Sequence, residues 1–145
     1  MIEITEMTDK DIDAVCSIEE ECFSMPWRRE DFLQMIENDH MSYLVVKDAG
    51  EIFGGAGIRE IVGDIEITNV AIKAEYRNQG YGHMLLQALL EKGRELGGKA
   101  FTLEVRISNV AAISVYKDLG FLTEGVRKNF YEKPVEDALI MWKRD

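Results

Sequence analysis

Between residues 77 and 82 the chain reads Arg77-Asn78-Gln79-Gly80-Tyr81-Gly82, two glycines two positions apart directly before an apolar run. A glycine loop that opens a helix is suited to hold a phosphate group. The first backbone N–H groups of a helix have no intrahelical partner, and the helix dipole favours negative charge there. Lacking Cβ atoms, Gly80 and Gly82 let a diphosphate approach the backbone. Glycines also serve as plain punctuation between a strand and a helix, and these six residues alone leave both readings open. Two other phosphate loops are excluded. The third glycine of Gly-x-Gly-x-x-Gly would fall at Leu85, and no Gly-Lys-Ser/Thr occurs.

The elements that must position this loop follow from hydrophobic periodicity. Thr8 with Asp11 marks a helix start, and Ile12, Val15, Cys16 and Cys22-Phe23 continue its apolar face. Pro26 interrupts before a second short helix with Phe32, Leu33, Met35 and Ile36. The period then shortens: "MSYLVVK", the turn "DAGE" and "IFGGAGIREIV" predict a β-hairpin. "GDIEITNVAI" predicts a further strand, with Ile65, Ile67 and Asn69 on one face and Glu66, Thr68 and Val70 on the other. A helix follows from about Gly80 to Leu96, its core face including Leu85, Ala88 and Leu89, and Gly97-Gly98 ends it. In "KAFTLEVRI", Phe101, Leu103 and Val105 alternate with Thr102, Glu104 and Arg106. Ser108-Asn109 caps a helix from Val110 to Leu119, closed by Gly120, and two antiparallel strands complete the chain. The order α-α-β-β-β-α-β-α-β-β, without linker or repeat, predicts one mixed α/β (α+β) domain over residues 1–145.

Composition narrows the function. With 17 Lys+Arg against 27 Asp+Glu, the net charge of −10 disfavours general nucleic-acid binding and suits a cationic substrate such as an amine or a basic peptide. No apolar run reaches the roughly 20 residues that span a bilayer, and the acidic start "MIEITEMTDKDIDAV" lacks the pattern of a secretory signal, so a cytoplasmic protein is expected. Cys16 and Cys22 stand six residues apart on one predicted helix, too far for an easy disulfide, and read as reduced thiols. His40 and His83 are the only histidines, so no zinc-ligand spacing exists and no metal is expected.

With its neighbours, the loop becomes specific. "NVAIKAEYRNQGYGHMLL" resembles the acetyl-CoA motif of the GNAT (Gcn5-related) N-acetyltransferase superfamily, whose Arg/Gln-x-x-Gly-x-Gly/Ala signature is met by Arg77, Gly80 and Gly82. "LEVRISNVAAISVYKDLGF", "RKNFY", "EDALIM" and the Pro26-Trp27 pair are similar to the RimI type, the ribosomal-protein-alanine N-acetyltransferases. The resemblance implies a GNAT fold, a mixed and largely antiparallel sheet flanked by helices and splayed where acetyl-CoA enters. It implies Glu104 as general base and Tyr116 as general acid. Acetyl-CoA, the co-substrate, would be held by Val70, Ala71, Ile72, Arg77, Asn78, Gln79, Gly80, Tyr81, Gly82, His83 and Asn109. Glu66 and Tyr131 are further candidates for the amine pocket, and Trp27 and Trp142 are read as packing residues.

The chemistry suits these residue types. Acetyl transfer needs a neutral amine, and an α-amine (pKa about 7.7–8.0) loses its proton more easily than lysine (about 10.4), a gap of roughly 3 kcal/mol. A single carboxylate base therefore favours an N-terminal acceptor. Backbone N–H groups beside Val70 can polarise the thioester carbonyl, and a phenol can protonate the departing thiolate. The implied reaction is acetylation of a protein α-amine, foremost the N-terminal alanine of a small-subunit ribosomal protein. The alternatives are a same-fold enzyme acting on lysine, a polyamine or another small amine, and a CoA-binding module without catalysis. The short loop "YEKPVEDA" departs from the longer polar insertion of many relatives, which places substrate identity most in question.

Overall fold

The computed structural model describes residues 1–145 and contains seven strands and four α-helices. In chain order these are β1 (Ile2–Glu6), α1 (Ile12–Cys22), α2 (Arg29–Glu37), β2 (Met41–Asp48), β3 (Glu51–Ile61), β4 (Asp64–Ile72), α3 (Tyr81–Glu95), β5 (Ala100–Arg106), α4 (Val110–Asp118), β6 (Leu122–Tyr131) and β7 (Glu136–Arg144). Every element expected from the periodicity is present, and β1 is additional. It is a five-residue edge strand in which Ile2 and Ile4 alternate with Glu3 and Thr5, too short a pattern to stand out in the acidic start of the chain.

One sheet holds all the strands in the order β1-β2-β3-β4-β5-β7-β6. Only β4 and β5 run parallel, as the α3 crossover between them requires. Their paired residues are few: Asp64↔Ala100, Ile65↔Phe101 and Glu66↔Thr102. Neighbouring residues of β2 show how the sheet is covered. Leu44 and Val46 join a core with Leu85, Leu86, Leu89 and Leu90 of α3, while Tyr43 and Val45 pack with Ile12, Val15, Phe32 and Met35 of α1 and α2. Burying each such leucine contributes about 1.5–3 kcal/mol, so the two helical layers clamp the sheet from both faces.

One irregularity determines what faces the site. Along β3 and β4 the register passes from Gly57↔Asn69 to Ile58↔Ile67, leaving Thr68 as an extra residue in β4. Such a bulge inverts the two faces of the strand beyond it. Ile65 and Ile67 therefore belong to the α3-side core, but past the bulge it is Val70 and Ile72 that pack there. Asn69, expected on the face of Ile65 and Ile67, instead reaches α1. Gly57 makes the irregularity possible: a Cβ there would lie 2.7 Å from Thr68 Oγ1 and 2.8 Å from Asn69 Oδ1.

Candidate active site

Beyond the paired residues of β4 and β5 lies a cleft of about 460 Å³, lined by residues 67–70 of one strand and 103–106 of the other. The end of α1 and the following loop form one wall, with Glu19, Cys22, Phe23, Met25 and Trp27; Asn109, Tyr116, Tyr131 and Glu132 line other parts. Glu104, Tyr116, Asn109 and Val70, far apart in sequence, thus meet in one cavity. Glu104 and Tyr116 approach it from opposite faces of β5. Tyr116 packs with Leu103 and Val105 in the α3-side core, and Glu104 alternates with those residues to point the other way.

Each side chain has a local cause for its position. Glu104 Oε2 lies 3.4 Å from Arg127 Nε on β6, an ion pair without a hydrogen bond that favours the charged carboxylate. Tyr116 is held on α4, only 7% exposed, edge-on to Phe121 at 5.9 Å. Burial, and secondarily the neighbouring Tyr131, pushes its phenol pKa up, so Tyr116 keeps its proton at neutral pH. Asn109 Oδ1 accepts the Ala112 N–H at 3.2 Å and caps α4. Tyr131 is raised to about 12 by burial and by the charge of Glu104, partly offset by Arg106. The Arg106 guanidinium stacks over the Tyr131 ring at 4.5 Å and donates to the Pro134 and Glu132 carbonyls, bracing the β6–β7 turn at the cleft's edge.

The glycine loop lies outside the lining of this cleft and forms a separate cradle at the start of α3. Gly80 is the N-cap residue with φ 89°, a left-handed conformation that favours glycine. Four of the loop's side chains are engaged within the protein, and Asn78 is exposed. Arg77 Nε donates to the Ile72 carbonyl at 2.9 Å and Nη2 to Cys22 Sγ at 3.4 Å, and Gln79 Nε2 donates to the Glu75 carbonyl at 2.9 Å. Tyr81 packs edge-on against Phe53 at 5.0 Å. His83 Nε2 lies 3.1 Å from Asp118 Oδ2, so its ring faces α4. With those side chains occupied, the first-turn N–H groups of α3 are what an anion would meet. A Cβ on Gly82 would meet nothing within 4 Å, so the approach is open. That donor set and that space fit a diphosphate.

Of the further candidates, Tyr131 lines the cleft and Glu66 does not: its Oε1 is bound to Arg59 Nη2 at 2.7 Å. Trp27 packs against Phe32 at 5.6 Å and also lines the cleft. Two residues escaped the sequence reading. Cys22 is distant in sequence from loop and base yet sits between them, though burial pushes its thiol pKa up and makes it a poor nucleophile. Glu19 is fully buried at the cleft and receives the Asn69 amide at 2.9 Å. Its signal was present: Ile12, Val15, Ile18, Glu19 and Cys22 follow one helical stripe, so the glutamate lies on the inward face.

The sequence model of the acetyltransferase (GNAT) family matches residues 12–121. The chain belongs to the GNAT family. It is therefore an N-acetyltransferase with acetyl-CoA as co-substrate. A GNAT relative from Bacillus subtilis (strain 168) is 41% identical over 140 residues, covering 96% of this chain and 93% of that one, and is named provisionally as a ribosomal protein bS18-alanine N-acetyltransferase. The Salmonella typhimurium protein named as a ribosomal protein bS18-alanine N-acetyltransferase is 32% identical over 95% of this chain and 94% of its own. The crystal structure of the ribosomal-protein-S18-alanine N-acetyltransferase from Escherichia coli superposes with a TM-score of 0.90 at 29% identity, covering 99% of this chain and 94% of that one. The mixed, mostly antiparallel sheet with its flanking helices is thus the GNAT fold.

Proposed function

We propose that this GNAT enzyme acetylates the α-amine of a protein N-terminus, and that its acceptor is the N-terminal alanine of ribosomal protein bS18. The observation that carries the reading is the cleft: a carboxylate and a buried phenol converge there from opposite faces of β5, one to take a proton and one to give it. The relatives' names supply the acceptor, and the cleft's charge agrees with a basic peptide, since Glu19, Glu104 and Glu132 line it against Arg106 alone. In this reading residues 1–145 act as one catalytic domain in the cytoplasm, where ribosomal proteins are made.

The cradle of Arg77, Asn78, Gln79, Gly80, Tyr81, Gly82 and His83 holds the diphosphate of acetyl-CoA through backbone N–H groups. Val70, Ala71 and Ile72 line its path along β4, and Asn109 contacts its arm. Bound acetyl-CoA supplies the activated acetyl group. The end of β4–β5 pairing at Glu66 and Thr102 supports an opening in the sheet for it. Glu104 accepts a proton from the acceptor nitrogen, directly or through a water, while Tyr116 protonates the departing sulfur.

Mass spectrometry of ribosomal proteins from cells with and without the enzyme tests this. The expected result is one added acetyl group at the bS18 N-terminus only when the enzyme is present. Acetylation confined to lysine side chains or a small amine would replace the acceptor, and acetyl-CoA binding without turnover on any amine would favour the non-catalytic module.

A further inference from the structure

Glu19 is the one acidic side chain with no exposure, and its Oε1 has no hydrogen-bond partner. Its other oxygen ends a directed chain. Thr68 Oγ1 donates to Asn69 Oδ1 at 2.6 Å, and Asn69 Nδ2 donates to Glu19 Oε2 at 2.9 Å. Every donor in that chain points toward the carboxyl group, an arrangement that suits a carboxylate. The bulge at Thr68 and the missing Cβ of Gly57 turn Asn69 toward α1 and allow the chain to form. A buried acceptor left without a donor is costly, and this one belongs to a residue that lines a cleft.

We propose that Glu19 Oε1, set by Asn69, is the docking point of the acceptor's α-ammonium group and the acceptor of its first proton. This inference rests on the N-terminal acceptor reading. An ammonium group is the complement of an unpaired carboxylate oxygen on a cleft that Val70 and Glu104 also line. Proton counting also calls for a second site. As an ammonium becomes an amide its nitrogen loses two protons. The first N–H bond breaks as an O–H bond forms on Glu19, freeing the nitrogen lone pair to attack the thioester carbonyl. The second proton passes to Glu104 as the amide forms. Tyr116 protonates the departing sulfur and recovers a proton through the water of the cleft, into which Glu104 releases its own. Glu19 then yields its proton to solvent, so one proton is released per turnover.

The surroundings of Glu19 poise it for this exchange. Loss of water raises its pKa from 4.5 to about 7, against the opposing pull of the Asn69 amide and then of the nearby Trp27 backbone N–H, which forms no hydrogen bond with it. No cation is among these influences. Cys16 and Cys22 flank it on α1, and Tyr43 approaches from β2 with its own pKa raised. Arg77 reaches only as far as Cys22. Glu104 and Tyr131 also line the cleft.

The test uses the intact enzyme, an alanine-first basic peptide, and the same peptide lacking its α-amine. With CoA bound, wild-type protein should prefer the amine-bearing peptide by roughly tenfold or more, the value of a charge-assisted hydrogen bond. Glu19→Gln should bind both peptides alike, keep its affinity for acetyl-CoA, and lose the limb of the kcat/KM–pH profile centred near 7. A Glu19→Gln variant that discriminates and titrates like wild type overturns the assignment. A measurement on the wild-type protein alone guards against a variant that misfolds. Calorimetry at pH 7 in buffers of differing ionisation enthalpy should show roughly half a proton released on binding the amine peptide and none on binding its counterpart. Equal proton release for the two peptides overturns the assignment. Wild-type enzyme that acetylates no N-terminus overturns the acceptor reading and this role with it, whereas turnover without Glu19 dependence overturns this role alone.

Discussion

The cradle and the cleft are built on different principles. The cradle is one contiguous loop in which Arg77, Gln79 and His83 bond within the protein, so that in the proposed reading backbone N–H groups meet the diphosphate. The cleft gathers side chains from α1, β4, β5, α4 and the β6–β7 region, each fixed by packing or an ion pair. A backbone site tolerates most side-chain changes and fails when space is filled. A side-chain site fails when a single functional group is removed, even with its shape preserved. In the proposed reading the difference separates cofactor recognition, which one motif can encode, from acceptor chemistry, which the whole fold must assemble.

Removing the proposed base should have the largest effect. Glu104→Gln is expected to lower kcat/KM at neutral pH by roughly 10²–10⁴-fold, the usual contribution of a general base, with acetyl-CoA affinity nearly unchanged. Steady-state kinetics beside calorimetric titration would show whether cleft and cradle separate in this way; a matching loss of acetyl-CoA affinity would break the comparison.

Next comes the buried carboxylate. The folded chain holds the Glu19 proton up to about pH 7, whereas the unfolded chain releases it near 4.5. The native state therefore binds more protons in that window, and its stability falls as pH rises from about 4.5 through 7. The 2.5-unit difference corresponds to about 3 kcal/mol. Glu19→Gln lacks this loss, so its stability relative to wild type should grow by about that amount between pH 4.5 and pH 8, read by urea denaturation at the two pH values. A constant difference would mean that Glu19 titrates normally. The wild-type residue is thus a stability cost placed in the cleft, as is common where function sets the charge.

The cradle should respond in the opposite manner. Gly82→Trp extends into space where a Cβ meets no atom, so the melting temperature should hardly move. Acetyl-CoA affinity should fall roughly tenfold or more, about 1.4 kcal/mol, if the indole occupies the diphosphate's approach. Unaltered affinity would remove the cradle from cofactor binding. The smallest effect is expected at Asn109→Ala, which deletes the α4 cap and should cost about 1 kcal/mol of stability in thermal denaturation.

The same contrast explains what the sequence could reveal. Gly80, the α3 stripe and the alternation of Phe101, Leu103 and Val105 are local patterns, and the elements they predict are present. β1 escaped because five residues with two acids offer little contrast. Asn69 was assigned to the wrong face because a bulge leaves no mark in period-two alternation, and Gly57, whose missing Cβ allows it, lies on another strand. Glu19 was hidden in the acidic run Glu19-Glu20-Glu21, where only helical phase separates the buried acid from its neighbours. Cys22 read only as a reduced thiol because it meets Arg77 only through the fold.

The central claim is transfer to an α-amine at the Glu104–Tyr116 cleft. The most direct measurement is the rate of CoA release with two peptides of identical sequence, one starting with a free alanine and the other α-acetylated but carrying free lysines. Turnover of the free-alanine peptide alone, strongly reduced in Glu104→Gln, is the predicted result. Equal turnover of the blocked peptide would contradict it.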